Sequence, residues 1–213
     1  MARAPRNTLT REAILAEALT LADAEGLAAL TIRSLAARLG VGPMSLYHHV
    51  ATKDELLDAL TDAVHAELHL PDPARPLRDE LEARARSVRA ALRRHPWAAT
   101  LMESRAQPGA AGLRSREAVL EALRANGLGV AEAGHAFAIL DAFCYGFALQ
   151  ESMLDQVGLR DSAPSLMTSI DMSAHPRMLE LAQEFASGDS YPLDASYEIG
   201  LAIVLDGILA LRG

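Results

Sequence analysis

The chain has one cysteine, Cys144, among 213 residues. A lone thiol cannot close an internal disulfide, so the sequence fits a reducing compartment. No apolar stretch approaches the roughly 20 residues of a membrane span. The N-terminus, MARAPRNTLTREAIL, is basic but lacks the apolar run of a secretory signal. A cytoplasmic protein without membrane attachment is the expectation. Strand-like alternation, low-complexity tracts and internal repeats are missing. So are a phosphate-cradling loop, a nucleophile–base pair and a metal triad, so catalysis finds no support and neither cofactor nor metal is expected.

Aromatic residues make up only 4%, while half of the chain is hydrophobic and rich in Ala and Leu. With charge interspersed, that composition predicts an all-α fold. The net charge of −8 argues against a protein that coats nucleic acid. The charge is uneven, however. Residues 1–53 hold six basic against four acidic residues, a net of +2, and the remainder carries −10. A basic end on an acidic body points to a nucleic-acid contact confined to that end.

The first helix reads LTREAILAEALTLADAEG. Thr10 caps it, and Leu9 and Ile14 occupy the staple positions around the cap. Ile14, Leu15, Ala18, Leu19 and Ala22 give it an apolar stripe, and Gly26 ends it. The second helix repeats this grammar with Thr31 as cap, Leu30 and Leu35 as staple and Gly40 as stop. The third is short, about Pro43 to His49, with proline in the first turn. The fourth opens on TKDE, where Thr52 and Glu55 form a capping box, and runs to about Leu68. HLPDPARP, residues 69–76, breaks the chain with three prolines. Helical patterns follow over 77–94, 96–106, 111–126, 131–155, 175–187 and 194–211. The reading assigns 1–55 to a three-helix domain, 56–70 to a connecting helix and 71–213 to a second helical domain.

Helices 2 and 3, joined by LGVGP, form a helix-turn-helix. Leu46 and Val50 lie four apart and share an inner face. Pro43, Met44, Ser45, Tyr47 and His48 then face outward, a mixture suited to a major groove. Thr31, at the N-terminus of helix 2, marks a phosphate site. Arg33, one turn in, reaches a base edge, and Lys53 holds a phosphate on the far side. His48 and His49 invite a metal reading. Neighbours on a helix point about 100° apart, which disfavours chelation of one ion. His65 and His69 have the better i, i+4 spacing but no evident third ligand. Tyr47 has a competing reading as a packed core residue, and Trp97 and Phe137 read as core.

These residues resemble the DNA-binding domain of the tetracycline repressor (TetR) family. The match is carried by LTREAILAEALTLADAEGLAALTIRSLAARLGVGPMSLYHHVATKDELLDAL. Downstream, RHPWAATLMESRAQP, LRANGL, YGFALQE and YEIGLAIVLDGI are similar to the C-terminal domain of its tetracycline-repressor subgroup. The resemblance implies an all-α homodimeric regulator, most often a repressor, that binds a palindromic double-stranded operator and is released by a small-molecule effector. The alternative is an activator or a ligand-independent regulator of the same fold; repression or activation depends on where the operator lies. The resemblance makes Arg33, Pro43, Met44, Ser45 and His48 groove-facing, and Thr31, Tyr47, His49 and Lys53 phosphate contacts.

The same resemblance places an effector pocket in the C-terminal domain. His69 and Arg105 fall on ligand-contacting positions of the tetracycline-binding member. Its magnesium-coordinating histidine is replaced by Met102, and a drug-holding asparagine by Arg84. These departures argue against a magnesium–tetracycline effector. Val88, Met102, Val119, Leu140 and Phe143 would line a more apolar pocket, with Arg84, Arg105 or His69 as anchors. The helices at 131–155 and 194–211 are apolar on nearly every face, and in this family such helices form the intersubunit bundle.

Overall fold

Every regular element among the described residues is a helix, ten in all. The computed structural model describes residues 9–104, 108–156, 171, 174–186 and 193–212. It resolves into two compact units: residues up to Leu70 with 90–118, and 71–89 with 119 onward.

The first unit begins with α1 (Arg11–Glu25), α2 (Ile32–Leu39), α3 (Pro43–Tyr47) and α4 (Lys53–Ala66). The starts of α1, α2 and α4 carry their expected threonine caps. Thr10 Oγ1 accepts from Ala13 N–H at 3.1 Å, Thr31 from Ser34 at 3.0 Å and Thr52 from Glu55 at 3.0 Å. The box at Thr52 closes differently from the expected pattern. The Glu55 carboxylate accepts from Ala51 N–H at 2.9 Å and pairs with Arg11 at 3.0 Å. Those two bonds hold its carboxyl below the usual range, the backbone donor first. The full reciprocal box forms at α2, where Ser34 returns a bond to the Thr31 backbone.

The core of this bundle is Ile14, Ala18, Leu21, Leu30, Leu35, Ala36, Leu46, Val50, Leu56 and Leu60. In α1 the buried stripe is Ile14, Ala18, Leu21 and Ala22, while Leu15 and Leu19 are half-buried. The i, i+4 row from Ile14 is buried, and Leu15 and Leu19 pack against the edge of the same core. Helix α4 ends two residues before the expected Leu68, yet Leu68 itself is buried. The unit is completed by the C-terminal turn of α5 (Leu77–Arg94), by α6 (Ala98–Ser104) and by the start of α7 (Ala110–Ala125).

In the second unit the rest of α5 and α7 join α8 (Val130–Gln156), α9 (Pro176–Ala186) and α10 (Leu193–Leu209). Helix α10 packs along α8. Tyr197 is fully buried, with its ring 5.3 Å from Phe143 and 5.1 Å from Phe147. The Arg89 guanidinium lies 4.1 Å from the Tyr197 centroid and pairs with Glu151 and Asp194, each at 2.6 Å. Burial works against its charge, but the two carboxylates outweigh that and raise its pKa. A buried cation needs such partners, since unpaired it costs several kcal/mol, about 3–5 when one member of the pair is removed.

Candidate nucleic-acid interface

The turn between α2 and α3 is made by one glycine. Gly40 adopts φ 69°, ψ 28°, the left-handed conformation that ends α2. Its N–H bonds back to Ala36 and Ala37, and Val41 N–H bonds to Ala36 at 3.0 Å. Gly42 caps α3 in an extended conformation at φ −75°, which any residue adopts. Pro43 fills the first position of α3, where no N–H is needed.

This geometry sorts α3 into two faces. Leu46 and Val50 are buried, at 1% and 3% exposure. Pro43, Met44, Ser45, Tyr47 and His48 are exposed, with Met44 at 71% and Tyr47 at 47%. The alternative of a packed core Tyr47 does not match that exposure. His49 is half-buried beyond the helix end, which comes at Tyr47 rather than at His49. The face is too short and too polar to cover a core, and it is left to solvent.

The basic residues of the bundle divide as clearly. Arg38 pairs with Glu17 and with Glu25, and Arg11 with Glu55. Those bonds raise the Arg38 pKa, Glu17 first. Among the described residues, Arg33 and Lys53 have no ion-pair partner, and both are exposed. The Thr31 hydroxyl serves the cap, 2.9 Å from Ser34 Oγ, and stays exposed. Two unpaired cations therefore flank an exposed α3.

The other candidate residues are distributed between the units. In the first, Met102 is buried on α6 and His69 is half-buried beyond α4. Arg105 lies outside the described residues. In the second, Arg84, Val88, Val119 and Leu140 are buried, and Phe143 is half-buried against Tyr197 and Phe147. Burial pushes the Arg84 guanidinium pKa down, opposed by Tyr145, Asp141 and Cys144. His65 is buried on α4, facing Gly112. Among the described residues no three His, Cys, Asp or Glu side chains gather as metal ligands, and no helix is long and apolar enough to cross a membrane.

One group was not legible in the sequence. Trp97, expected in a core, is half-buried against the N-terminal bundle and donates its indole N–H to Asp23 at 2.7 Å. His95 lies between Asp23 and Glu67. The signal available was RHPW itself, a polar pair ahead of the only tryptophan, but nothing in its spacing names Asp23.

Residues 14–60 match the family described as bacterial regulatory proteins, tetR family. Residues 70–212 match the tetracyclin repressor-like C-terminal domain. The chain is 34% identical to the transcriptional repressor DrrR1 of Streptomyces coeruleorubidus, over 98% of this chain and 80% of that protein. It is 32% identical to the class A tetracycline repressor protein of Escherichia coli, over 93% and 90% of the two chains. The crystal structure of Streptomyces coelicolor ActR in complex with actinorhodin aligns with a TM-score of 0.81 at 32% identity, over 99% of each chain. These matches cover both halves of the molecule, and the chain belongs to the TetR family of transcriptional regulators.

Proposed function

We propose that this chain is a repressor that binds a palindromic operator as a homodimer and releases it when a small-molecule effector is bound. The observation that carries this is the exposed face of α3 beside the unpaired Arg33. In this reading Arg33, Pro43, Met44, Ser45 and His48 face the groove. Thr31, Tyr47, His49 and Lys53 hold phosphates. Residues 1–55 form the reading head, 56–70 the connecting helix and 71–213 the effector and dimerisation domain, and the protein works in the cytoplasm.

Dimerisation is supported by the outer faces of α8 and α10. Ile139, Leu149, Met153, Ile199 and Ile203 are between 47% and 66% exposed. Several exposed apolar side chains on two packed helices fit a protein interface. A second copy presenting the same pair would complete a four-helix bundle.

An effector is supported by relatives, since ActR was crystallised with actinorhodin and an Acinetobacter baumannii TetR variant with minocycline. For this chain, Val88, Val119, Leu140 and Phe143 of the second unit supply apolar surface, with Arg84 as a polar anchor. A ligand that binds better to the DNA-incompetent conformation shifts the dimer off its operator. The test is selection of bound sequences from a random DNA pool, followed by a ligand screen for release. A recovered palindrome bound by a dimer is the expected result. Recovery of unrelated sequences, or a monomer on light scattering, refutes the reading.

A further inference from the structure

Apolar packing holds α1 against α4, but such packing is non-directional and tolerates sliding. A polar contact fixes the far end of α1. Asp23, in its last turn, uses one oxygen to accept from two groups. His95 Nδ1 lies 2.7 Å away, and Trp97 Nε1–H donates at 2.7 Å. On the other side of the imidazole, Nε2 lies 3.2 Å from Glu67 Oε1, just past the end of α4. The second Glu67 oxygen accepts from Arg94 at 2.7 Å. Carboxylates from α1 and α4 thus meet across one histidine whose side chain is 9% exposed.

The histidine itself is held from behind. Its N–H donates to Ala91 C=O at 2.9 Å, closing α5, and its C=O accepts from Ala98 N–H at 2.8 Å, opening α6. His95 and Trp97 are therefore fixed parts of the α5–α6 corner. Helix α6 also carries the buried Met102. A displacement of α6 moves the donors that hold Asp23.

We propose that Asp23, His95, Trp97 and Glu67 form a clasp that positions α1 and α4 of the reading head on the α5–α6 corner, and that the clasp helps to set the operator spacing this protein accepts. His95 and Trp97 act here as positioning residues; they read no base. The inference rests on the operator-binding reading above. Spacing is the property a clasp governs, because a pair of heads held at one separation discriminates between half-site spacings, whereas loosely held heads do not.

The experiment uses the full-length dimer and the operator recovered by selection. Affinity is measured for that operator and for one with a single base pair inserted between the half-sites, a shift of about 3.4 Å and a tenth of a turn. The readout is the ratio of the two affinities. Asp23→Ala and His95→Ala should each reduce the ratio about tenfold, the scale of one hydrogen bond to a charged group. The double variant should lose no more than either single. A merely structural role lowers the melting temperature and both affinities together, leaving the ratio unmoved. An unchanged ratio in the folded single variants overturns the clasp, as does full additivity in the double. Should the alanine variants not fold, Trp97→Phe keeps an aromatic side chain at the contact and removes the N–H donor together with part of the indole's bulk. It should lower the ratio about tenfold, again the scale of a hydrogen bond to a carboxylate, and an unchanged ratio there also overturns the proposal. Failure to recover a paired operator refutes the operator reading and this inference with it. A wild-type protein that discriminates spacing, beside variants that do so equally well, refutes the clasp alone.

Discussion

Asp62 on α4 caps α7 from outside: its Oδ1 accepts from the backbone N–H of Gly112 at 2.8 Å. Gly112 is the third residue of α7, where a helix has a donor without an intrahelical partner. The preceding side chain ordinarily takes that bond. Here the preceding residue is Gly109, which has none. Two glycines permit the approach. A Cβ on Gly109 would lie 2.3 Å from Asp62 Cγ, and one on Gly112 would lie 3.2 Å from His65 Cδ2. Helix α4 is thereby tied to the start of α7 by a cap that α7 cannot supply itself.

Removing that cap has a defined cost. Asp62→Ala should destabilise the protein by about 1 kcal/mol, the usual value of a helix cap. Gly109→Ala should cost at least as much, because the new methyl displaces the carboxylate. The double variant should be less destabilised than the sum of the singles, since deleting Asp62 clears the space the methyl needs. Denaturant unfolding of the four proteins measures the cycle. Strict additivity would show that the methyl does not act through Asp62.

The two glycines of the helix-turn-helix should respond differently. Gly40 is left-handed, and alanine there is strained by about 1–2 kcal/mol although nothing lies within 4 Å of the new Cβ. Gly42 has a negative φ and equally open surroundings. Gly42→Ala should therefore change stability by less than about 0.5 kcal/mol. Thermal unfolding separates the two. Equal losses would mean that the backbone conformation is not what distinguishes them.

That contrast shows what was legible in the sequence. Caps, apolar spacing and Pro43 at a first helical position are local signals, and they give the helices and the faces of α3 directly. The ends of α3 and α4 each lie two residues before the expected ones, because nothing in a sequence marks where fraying stops. Contacts between distant segments left no such signal. Asp23 meets Trp97 across 74 positions, and Arg89 meets Asp194 across 105. Single polar residues carry no periodicity, so only the fold brings them together. The expectation of Trp97 in a core follows from its aromatic ring, and its N–H gives it a second role.

Arg33 and Lys53 should fail in different ways. Arg33→Ala should weaken operator binding by about 1–3 kcal/mol and relax preference at one base position. Lys53→Ala should weaken every DNA sequence to a similar degree and reduce the slope of log K against log salt by about 1. Binding titrations on operator and scrambled duplexes, at two or more salt concentrations, distinguish base reading from phosphate contact. An Arg33→Ala protein with unaltered affinity and specificity would remove Arg33 from the reading face.

Cys144 gives a prediction about pH. The thiol is buried on α8, and burial pushes its pKa from 9.0 up to about 12, with Asp141 adding to the effect and Arg84 opposing it. Burial also raises the Tyr197 hydroxyl above its ordinary value. Both groups hold their protons more tightly folded than unfolded, so their contribution is fully present below about pH 8. Above that the unfolded chain releases protons that the native one keeps, and stability falls as pH rises toward 12. Cys144→Ser exchanges one buried donor for another of higher pKa and should flatten the start of the decline, between about pH 8 and 9, where the thiol of the unfolded chain ionises ahead of the tyrosine hydroxyl. At pH 8 the native thiol should resist alkylation, since the thiolate is the reactive species, and should label freely in denaturant. Rapid labelling of the folded protein would show that Cys144 is not shielded, and the pH argument would fall with it.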